Sequence, residues 1–221
     1  LQDRGGGAIL TNPNCSTIGL VLALKPLVDA FGVEEVHVVT LQALSGAGVP
    51  GVPGVQVVDN VIPFIPGEEE KMETETGKIL GRLRGSAIEP SAVRVSAACN
   101  RVPVIDGHQE CVSVRLQRPA TVDELKEAWR GFRGEPQRLG LPTAPRPAIH
   151  YLDDEAAPQP RLHRDLGQGM AAVVGRARPC PILDYKFVTL SHNTLRGAAG
   201  GAILVAELAV ERGLPERLPL G

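Results

Sequence analysis

Cysteine is the residue type in this sequence whose position most directly suggests chemistry, and Cys15 is the candidate. It follows a turn at residues 12–14 and opens a predicted helix that carries apolar residues at helical spacing. Unpaired N–H groups and the macrodipole at a helix N-terminus lower the pKa of a thiol, and the thiolate is the nucleophilic form. Position alone leaves a second interpretation open, a small buried cysteine at the start of a helix.

A proton-transfer partner for such a thiol must titrate near neutrality, as histidine does. The sequence has five histidines, and spacing alone does not choose among them. His108 follows Gly107 at the start of a predicted strand, seven residues after Arg101. The fork of an arginine can bind a carboxylate through two parallel hydrogen bonds, and a surface arginine on a loop is the alternative.

Glu68 and Lys71 are one helical turn apart in the charged segment 68–80, so both can lie on the same side of a helix. A solvated charged surface is the competing interpretation, and Glu69 and Glu70 leave the register open. Residues 46–51 formally satisfy GxGxxG, but prolines follow and no helix opens after them. This segment is therefore not a dinucleotide-binding fingerprint, and a glycine-rich turn without a ligand is the alternative to a binding loop.

The elements that would position these side chains are predicted from periodicity and turn residues. Strands are predicted just before Asn12 and over residues 36–44, 92–99, 109–117, 171–176 and 185–190. Helices are predicted over residues 15–30, 68–80, 121–132 and 194–212, with a kink or break at Pro26 and a capping box at Thr121. We expect strands 92–99 and 109–117 to pair, and residues 135–160 to form an extended surface segment. The order of elements predicts an α+β fold with a mixed, largely antiparallel sheet and helices on one face.

Composition narrows the possible classes of function. The 221 residues are 43% apolar, enough for one sizeable core, and their net charge of −2 gives no broad attraction to nucleic acid or an anionic membrane. The longest apolar run, residues 18–24, is far shorter than the roughly 20 residues that cross a bilayer. The four cysteines form no CxxC pair and no metal-ligand spacing, so we expect no metal and a cytoplasmic protein with free thiols.

Six ordered segments give the chain its resemblance to a known family. They are NPNCST at 12–17, QALSGAG at 42–48, DNVIPFI at 59–65, EEEK at 68–71, RVPVIDGH at 101–108 and SHNTLRGAAG at 191–200. Together they resemble aspartate-semialdehyde dehydrogenases, most closely the archaeal and fungal branch. The resemblance implies NADP-dependent interconversion of L-aspartate 4-semialdehyde plus phosphate with 4-aspartyl phosphate, through a cysteine thioester, in the biosynthesis of lysine, methionine and threonine.

The resemblance also implies ten site residues in three groups. The catalytic group comprises Cys15 as nucleophile, His108 as acid/base residue and Gln42, which would orient the substrate at the cysteine. The substrate-binding group comprises Arg101 for the α-carboxylate, Glu68 for the amino group, Lys71 for phosphate, and Asn14. The cofactor-binding group, beside the nicotinamide of NADP, comprises Ser45, Gly46 and Asn193.

A division of the chain follows from the same resemblance. Residues 1–14 would be the remnant of an N-terminal nucleotide-binding (Rossmann) domain that this chain otherwise lacks, residues 15–192 the catalytic and dimerisation domain, and residues 193–221 a C-terminal helix that docks on the missing domain. We expect a homodimer or tetramer formed through the sheet, and a chain that is inactive alone. Two alternatives stay open, a related acyl-thioester reductase such as malonyl-CoA reductase and a non-catalytic dimerisation fragment. Glu68 and Arg101, which suit the two charged groups of an amino acid, favour the dehydrogenase.

Overall fold

A computed structural model describes residues 9–214, so parts of the predicted first and last segments, residues 1–8 and 215–221, lie outside the described residues. The strands are β1 (Val33–Gln42), β2 (Arg82–Arg84), β3 (Ala87–Glu89), β4 (Arg94–Arg101), β5 (His108–Leu116), β6 (Ile149–Leu152), β7 (Ala172–Pro179) and β8 (Tyr185–Ser191). The α-helices are α1 (Cys15–Phe31), α2 (Gly54–Val57), α3 (Glu68–Ile79), α4 (Val122–Gly131), α5 (Glu135–Leu139), α6 (Pro160–His163) and α7 (Gly200–Glu211). A 3-10 helix covers Leu44–Ala47, and a π-helical segment, Leu195–Ala199, leads directly into α7.

The main sheet has six strands in the order β4-β1-β5-β8-β7-β6, and β2 and β3 form a separate hairpin. Its three central pairs, β1–β5, β5–β8 and β8–β7, are antiparallel, whereas the outer pairs β1–β4 and β7–β6 are parallel. The helix α1 lies on the central strands and contacts both α3 and α4, which pack on the two ends of the sheet. These arrangements confirm the predicted α+β fold with a mixed, largely antiparallel sheet and helices on one face.

Alternation along the strands separates a helix-covered face of the sheet from an open face. On β5 every second residue from His108 to Leu116 is buried, whereas Cys111 and Arg115 between them are exposed. On β1, His37 is exposed in the same way. The covered face carries the core, and the open face is a sheet surface that no helix covers among residues 9–214.

The core of the covered face is built around Trp129 of α4. Its ring lies 5.0 Å from that of Phe187 and 5.5 Å from that of Tyr151, measured between ring centroids. Its Nε1 donates a hydrogen bond to Ala23 O of α1 at 2.8 Å, which satisfies the polar atom of a fully buried indole. This contact fixes α4 against α1 as well as against the sheet.

The covered face changes from apolar to polar toward one end of the central strands. Three successive rows of buried neighbours on β1, β5 and β8 are Val38, Val112 and Phe187, then Thr40, Glu110 and Thr189, and finally Gln42, His108 and Ser191. The apolar rows stabilise the fold by burial, whereas buried polar groups cost free energy unless they find partners. Packing alone therefore does not explain the buried polar residues at this end of the strands, and a functional site is expected there.

The segment between β4 and β5 crosses the end of β1 and so brings the ends of all three strands together. Val102 N donates to Gln42 O at 3.0 Å, and Leu44 N donates to Val104 O at 2.7 Å. β4 and β5 therefore lie on opposite sides of β1, and the prediction that they pair with each other is wrong. Periodicity identified both strands, but it carries no information about a third strand inserted between two that are adjacent in sequence.

Three other predictions, the strand before Asn12, the helix break at Pro26 and the surface segment over residues 135–160, also differ from the structure. Residues 9–14 contain no strand, and α1 runs through Pro26 without a break. Residues 135–160 are not a surface segment, since they include α5 and β6, and Leu141, Ala148 and Ile149 are buried. Their apolar residues are dispersed among prolines without a period, so no local pattern indicated that they would be buried.

The remaining predicted helices are confirmed. α4 begins with the predicted capping box, in which Glu124 N donates to Thr121 Oγ1 at 3.2 Å and Thr121 N donates to Glu124 Oε2 at 2.6 Å. The helix predicted over 194–212 is the π-helical segment followed by α7. Within the described range 9–214, no helix is both long and apolar enough to cross a membrane.

Candidate active site

Cys15 is the first residue of α1 and lies at the polar end of the covered face. Asn14 is the N-cap of this helix, and its Oδ1 accepts hydrogen bonds from the N–H groups of Ser16 at 2.9 Å and Thr17 at 3.1 Å. Gly197 packs so closely that a Cβ at its position would lie 2.7 Å from Cys15 Cβ. The capped helix and this backbone contact together hold the thiol in one place.

His108 is the direct partner of the thiol. Its Nε2 lies 3.3 Å from Cys15 Sγ, and its Nδ1 accepts a hydrogen bond from the N–H of Ala43 at 3.0 Å. The imidazole is fully buried. Burial, followed by the charge of Arg101, lowers the pKa of His108 to about 3, so the ring is neutral at physiological pH.

The Cys15 thiol is a weaker acid than the sequence predicted. Burial, followed by the carboxylate of Glu68, raises its pKa to about 11, while the N–H groups of Ser16 and Cys15 act in the opposite direction. The helix N-terminus does not prevail because burial has the larger effect on the pKa and the charge of Glu68 adds to it. The resting site therefore pairs a neutral thiol with a neutral imidazole.

Glu68 is a buried carboxylate held by the neighbours of Cys15. Its Oε1 accepts hydrogen bonds from Asn14 Nδ2 at 2.9 Å, Gln42 Nε2 at 2.9 Å and Ser16 Oγ at 3.4 Å. Thr40 Oγ1 in turn donates to Gln42 Oε1 at 3.0 Å, which fixes the orientation of the glutamine amide. Both Asn14 and Gln42, predicted to contact substrate, thus orient Glu68.

Of the neighbouring glutamates on α3, Glu69 and Glu73 contact the backbone of β4 and not the neighbours of Cys15. Glu69 Oε1 accepts the N–H of Cys99 at 2.9 Å, and Glu73 Oε1 accepts the N–H of Ala97 at 3.0 Å. These carboxylates satisfy backbone donors along β4, the edge strand of the main sheet in the part of the chain that the structure describes. Of the run 68–70, only Glu68 is buried in the site.

Arg101 lies at the end of β4 with an exposed fraction of 6%. Its Nη1 donates to Ala43 O at 2.6 Å, and burial lowers its pKa while Glu68 acts in the opposite direction. Gly46 permits this arrangement, since a Cβ there would lie 3.0 Å from Arg101 Nη1 and 2.9 Å from His108 Cε1. A cleft of about 310 Å³ opens onto Arg101, lined by Gly46, Ala47, Val52, Ile62, Phe64, Ile65 and Pro66.

The predicted cofactor residues also meet here, but Lys71 stands apart. Asn193 Nδ2 donates to Ser45 Oγ at 2.8 Å, and Asn193 Oδ1 accepts the N–H of Gly107 at 2.8 Å, directly before β5. The side chain of Lys71 is exposed on α3 and makes no hydrogen bond or ion pair within residues 9–214. The structure therefore brings nine of the ten predicted residues into one connected site.

The sequence of this chain matches the model of a known protein family. The profile described as semialdehyde dehydrogenase, dimerisation domain, matches residues 24–196. The chain belongs to the semialdehyde dehydrogenase family. Its match lies in the dimerisation domain and covers the six-stranded sheet that carries the site.

Individual members of the semialdehyde dehydrogenase family are close in sequence and structure. The chain is 50% identical over 214 residues to the aspartate-semialdehyde dehydrogenase of Methanothermobacter thermautotrophicus, covering 95% of this chain and 62% of that protein. For the protein of that name from Schizosaccharomyces pombe the identity is 51%, covering 94% and 60%. The aspartate semialdehyde dehydrogenase of Candida albicans, solved with NADP, is similar with a TM-score of 0.84 and 48% identity, covering 91% of this chain and 57% of that one. The chain thus spans about 60% of the length of these curated relatives.

Sequence reasoning missed several groups of this semialdehyde dehydrogenase site. Glu75 Oε2 accepts the N–H of Asn14 at 2.8 Å, and Glu75 lies seven residues after Glu68, a spacing that places both on one helical face. Glu110 is fully buried, and burial followed by the charge of Glu68 raises its pKa well above the usual range. The seven-residue spacing from Glu68 could have identified Glu75 from the sequence. The N–H of Ala43 that contacts His108 is a backbone group, so no residue type in the sequence reveals it.

Proposed function

We propose that this family member interconverts L-aspartate 4-semialdehyde plus phosphate with 4-aspartyl phosphate, with NADP as hydride carrier, as a step in lysine, methionine and threonine biosynthesis. The observation that carries the proposal is the meeting of Cys15, His108, Glu68 and Arg101 at one end of the sheet. A cysteine suits nucleophilic attack on an acyl phosphate. A buried carboxylate and a buried guanidinium suit the ammonium and carboxylate groups of an amino acid.

The free atoms of the two charged side chains support this assignment. Glu68 Oε1 receives three donors, whereas Glu68 Oε2 receives none from the described residues and is left for the substrate ammonium. Arg101 Nη1 donates a hydrogen bond to Ala43 O. Its Nε and Nη2 have no partner within residues 9–214, so both are left for a substrate carboxylate. Lys71, exposed three residues after Glu68, is our proposed contact for phosphate.

Space for a cofactor exists beside the same groups. The missing Cβ of Gly46 leaves a gap next to His108 Nε2 and Arg101 Nη1, and the hydrogen bond between Asn193 and Ser45 borders it. We propose that Ser45, Gly46 and Asn193 hold the nicotinamide end of NADP. When bound, NADPH supplies the hydride that reduces the thioester.

The test is phosphate-dependent reduction of NADP by aspartate semialdehyde in the full-length protein. Cys15→Ala should abolish turnover and Cys15→Ser should leave only a trace, because a serine hydroxyl is hardly ionised at pH 7. Cys180→Ala, in the turn between β7 and β8, is the matched control and should keep the wild-type rate. Activity only with malonyl-CoA would favour the related reductase, and failure to bind NADPH would favour a non-catalytic dimerisation module.

A further inference from the structure

A second polar row lies directly beneath the row that contains His108, on the covered face of the sheet. It consists of Glu110 of β5 and its neighbours Thr40 of β1 and Thr189 of β8, and all three are fully buried. Thr40 Oγ1 is already committed, since it donates to Gln42 Oε1 at 3.0 Å. Neither carboxyl oxygen of Glu110 nor Thr189 Oγ1 has a hydrogen-bond partner within the described part of the chain. The group left for Glu110 in this row is thus the hydroxyl of Thr189.

Ser191 brings a further hydroxyl to the same place. It faces the same side of β8 as Thr189, and its Oγ is likewise buried without a hydrogen-bond partner among the described residues. A Cβ at Gly19 of α1 would lie 2.6 Å from Ser191 Oγ and 3.4 Å from Glu110 Oε1, so both atoms surround one spot beneath the helix. Because Gly19 is one turn after Cys15, this spot supports the part of α1 that carries the thiol.

The surroundings of Glu110 favour the neutral acid over the carboxylate. The titratable groups that interact with it or lie in the adjoining row are Cys15 of α1, Glu68 of α3, Cys99 of β4, and Cys111 and His108 of β5. None of these groups is a cation in the resting site, and none donates a hydrogen bond to the carboxyl oxygens. Burial, followed by the charge of Glu68, accordingly raises the pKa of Glu110 well above its usual range.

We propose that Glu110, Thr189 and Ser191 form a buried polar cluster in which Glu110 is a protonated acid and one ordered water bridges its carboxyl group to the two hydroxyls. Buried polar groups commonly complete their hydrogen bonds through a water that has two to four such partners. The cluster supports α1 without adding a charge beside the thiol, and it leaves proton exchange with that thiol to His108. Glu110 is thus a positioning residue that acts through α1. The inference concerns the resting protein and does not depend on the proposed reaction.

Infrared spectroscopy of the full-length protein tests the protonation state of Glu110 without any substrate. Exposed carboxyl groups are ionised at pH 7, so the carbonyl stretch of a protonated carboxylic acid should be present in the wild type and missing from Glu110→Gln. Glu70→Gln, at an exposed position on α3, is the control and should keep the band. A wild-type spectrum without this band, or a band that persists in folded Glu110→Gln, would overturn the proposal.

Alkylation of Cys15 by iodoacetamide distinguishes Glu110 from Glu68. Either carboxyl group raises the pKa of Cys15 when it is ionised. Glu68→Gln removes a charge that is present and should speed the reaction, whereas Glu110→Gln replaces a group that is already neutral. The second variant should therefore stay within about twofold of the wild-type rate at pH 7. Equal acceleration in both variants would mean that Glu110 is a carboxylate, contrary to the proposal.

Thr189→Val tests the bridging water, since valine keeps the branched shape of threonine without its hydroxyl. If that hydroxyl is bonded to the water, its loss leaves the water and Glu110 short of a partner, and the urea midpoint of the full-length protein should fall. Thr74→Val, at an exposed position on α3, is the control and should leave the midpoint unchanged. A midpoint that rises or stays constant in Thr189→Val would mean that the hydroxyl has no partner in the folded protein, and would overturn the proposed cluster.

Discussion

Cys15 and Cys180 differ in the properties that set the reactivity of a thiol. Burial and Glu68 raise the pKa of Cys15 to about 11, whereas the backbone N–H groups of Leu183 and Ile182 lower that of Cys180. We expect iodoacetamide to modify Cys180 first at pH 7. Modification of Cys15 should accelerate as pH rises toward 11, because a raised pKa keeps the thiol protonated below that range. Rates for each thiol can be read by mass spectrometry of the alkylated peptides.

Glu68→Gln separates the two causes of the raised Cys15 pKa. Removing the negative charge while keeping the burial should lower that pKa and speed alkylation of Cys15 roughly three- to tenfold at pH 8. Glu70→Gln, an exposed position on the same helix, is the control and should leave the rate unchanged. Fastest labelling at Cys15 in the wild type, with no effect of Glu68→Gln, would contradict this account of the thiol.

Arg101 gives the prediction that tests substrate identity. Lysine in its place keeps the charge but replaces the planar fork by a single point donor. A lost charge-assisted contact is worth about 1.5–3 kcal/mol, so KM for aspartate semialdehyde should rise on the order of ten- to a hundredfold in Arg101→Lys of the full-length enzyme. KM for phosphate should respond more to Lys71→Ala. Steady-state kinetics that showed the reverse pattern would mean that the two anion sites are exchanged.

At the scale of elements, α3 is fastened to α1 through the cap of the nucleophile's helix. Glu75 accepts the N–H of Asn14, so Glu75→Ala leaves that partly buried donor without its partner. We expect about 1–3 kcal/mol of lost stability in urea unfolding, together with a lower kcat because the first turn of α1 loosens. Glu75→Gln retains an acceptor oxygen and should lose less. Glu70→Ala is the control, and equal stability of Glu75→Ala and Glu70→Ala would contradict the role of this contact.

The individual elements could be predicted from the sequence, but the order of the strands in the sheet could not. Capping residues and apolar periodicity identified α1, α3, α4 and most strands, because both patterns involve residues that are close together in the sequence. The insertion of β1 between β4 and β5 depends on contacts between distant residues, so no local pattern revealed it. At the site, motif resemblance identified Cys15 and His108. The contact of His108 with the Ala43 N–H and the burial that raises the pKa of Cys15 became visible only in three dimensions.

For the whole molecule, the open face of the sheet gives a prediction about assembly. Its outward residues include the half-buried Val39 and Leu41 of β1 and the exposed Cys111 of β5, and the matched family domain is a dimerisation domain. We propose that two copies cover this face in a homodimer, or in a tetramer built from it. Val39→Glu should shift sedimentation to the monomer at micromolar protein, and Cys111 should then be alkylated faster.

Leu83→Glu is the control for this substitution. It introduces the same charge at an exposed position on the separate β2–β3 hairpin and should leave the assembly unchanged. A wild-type protein that sediments only as a monomer at micromolar concentration would exclude the proposed interface. So would a Val39→Glu variant that retains the wild-type assembly.

The proposed reaction of the whole molecule requires Cys15 to carry the acyl group. The most direct measurement is intact-protein and peptide mass spectrometry of the full-length enzyme, mixed with 4-aspartyl phosphate in the absence of NADPH and quenched in acid. We expect a single adduct of one aspartyl group on the peptide that contains Cys15, absent in Cys15→Ala and removed by added phosphate. An unmodified protein that still releases phosphate at the catalytic rate, or an adduct on Cys99, Cys111 or Cys180, would contradict it.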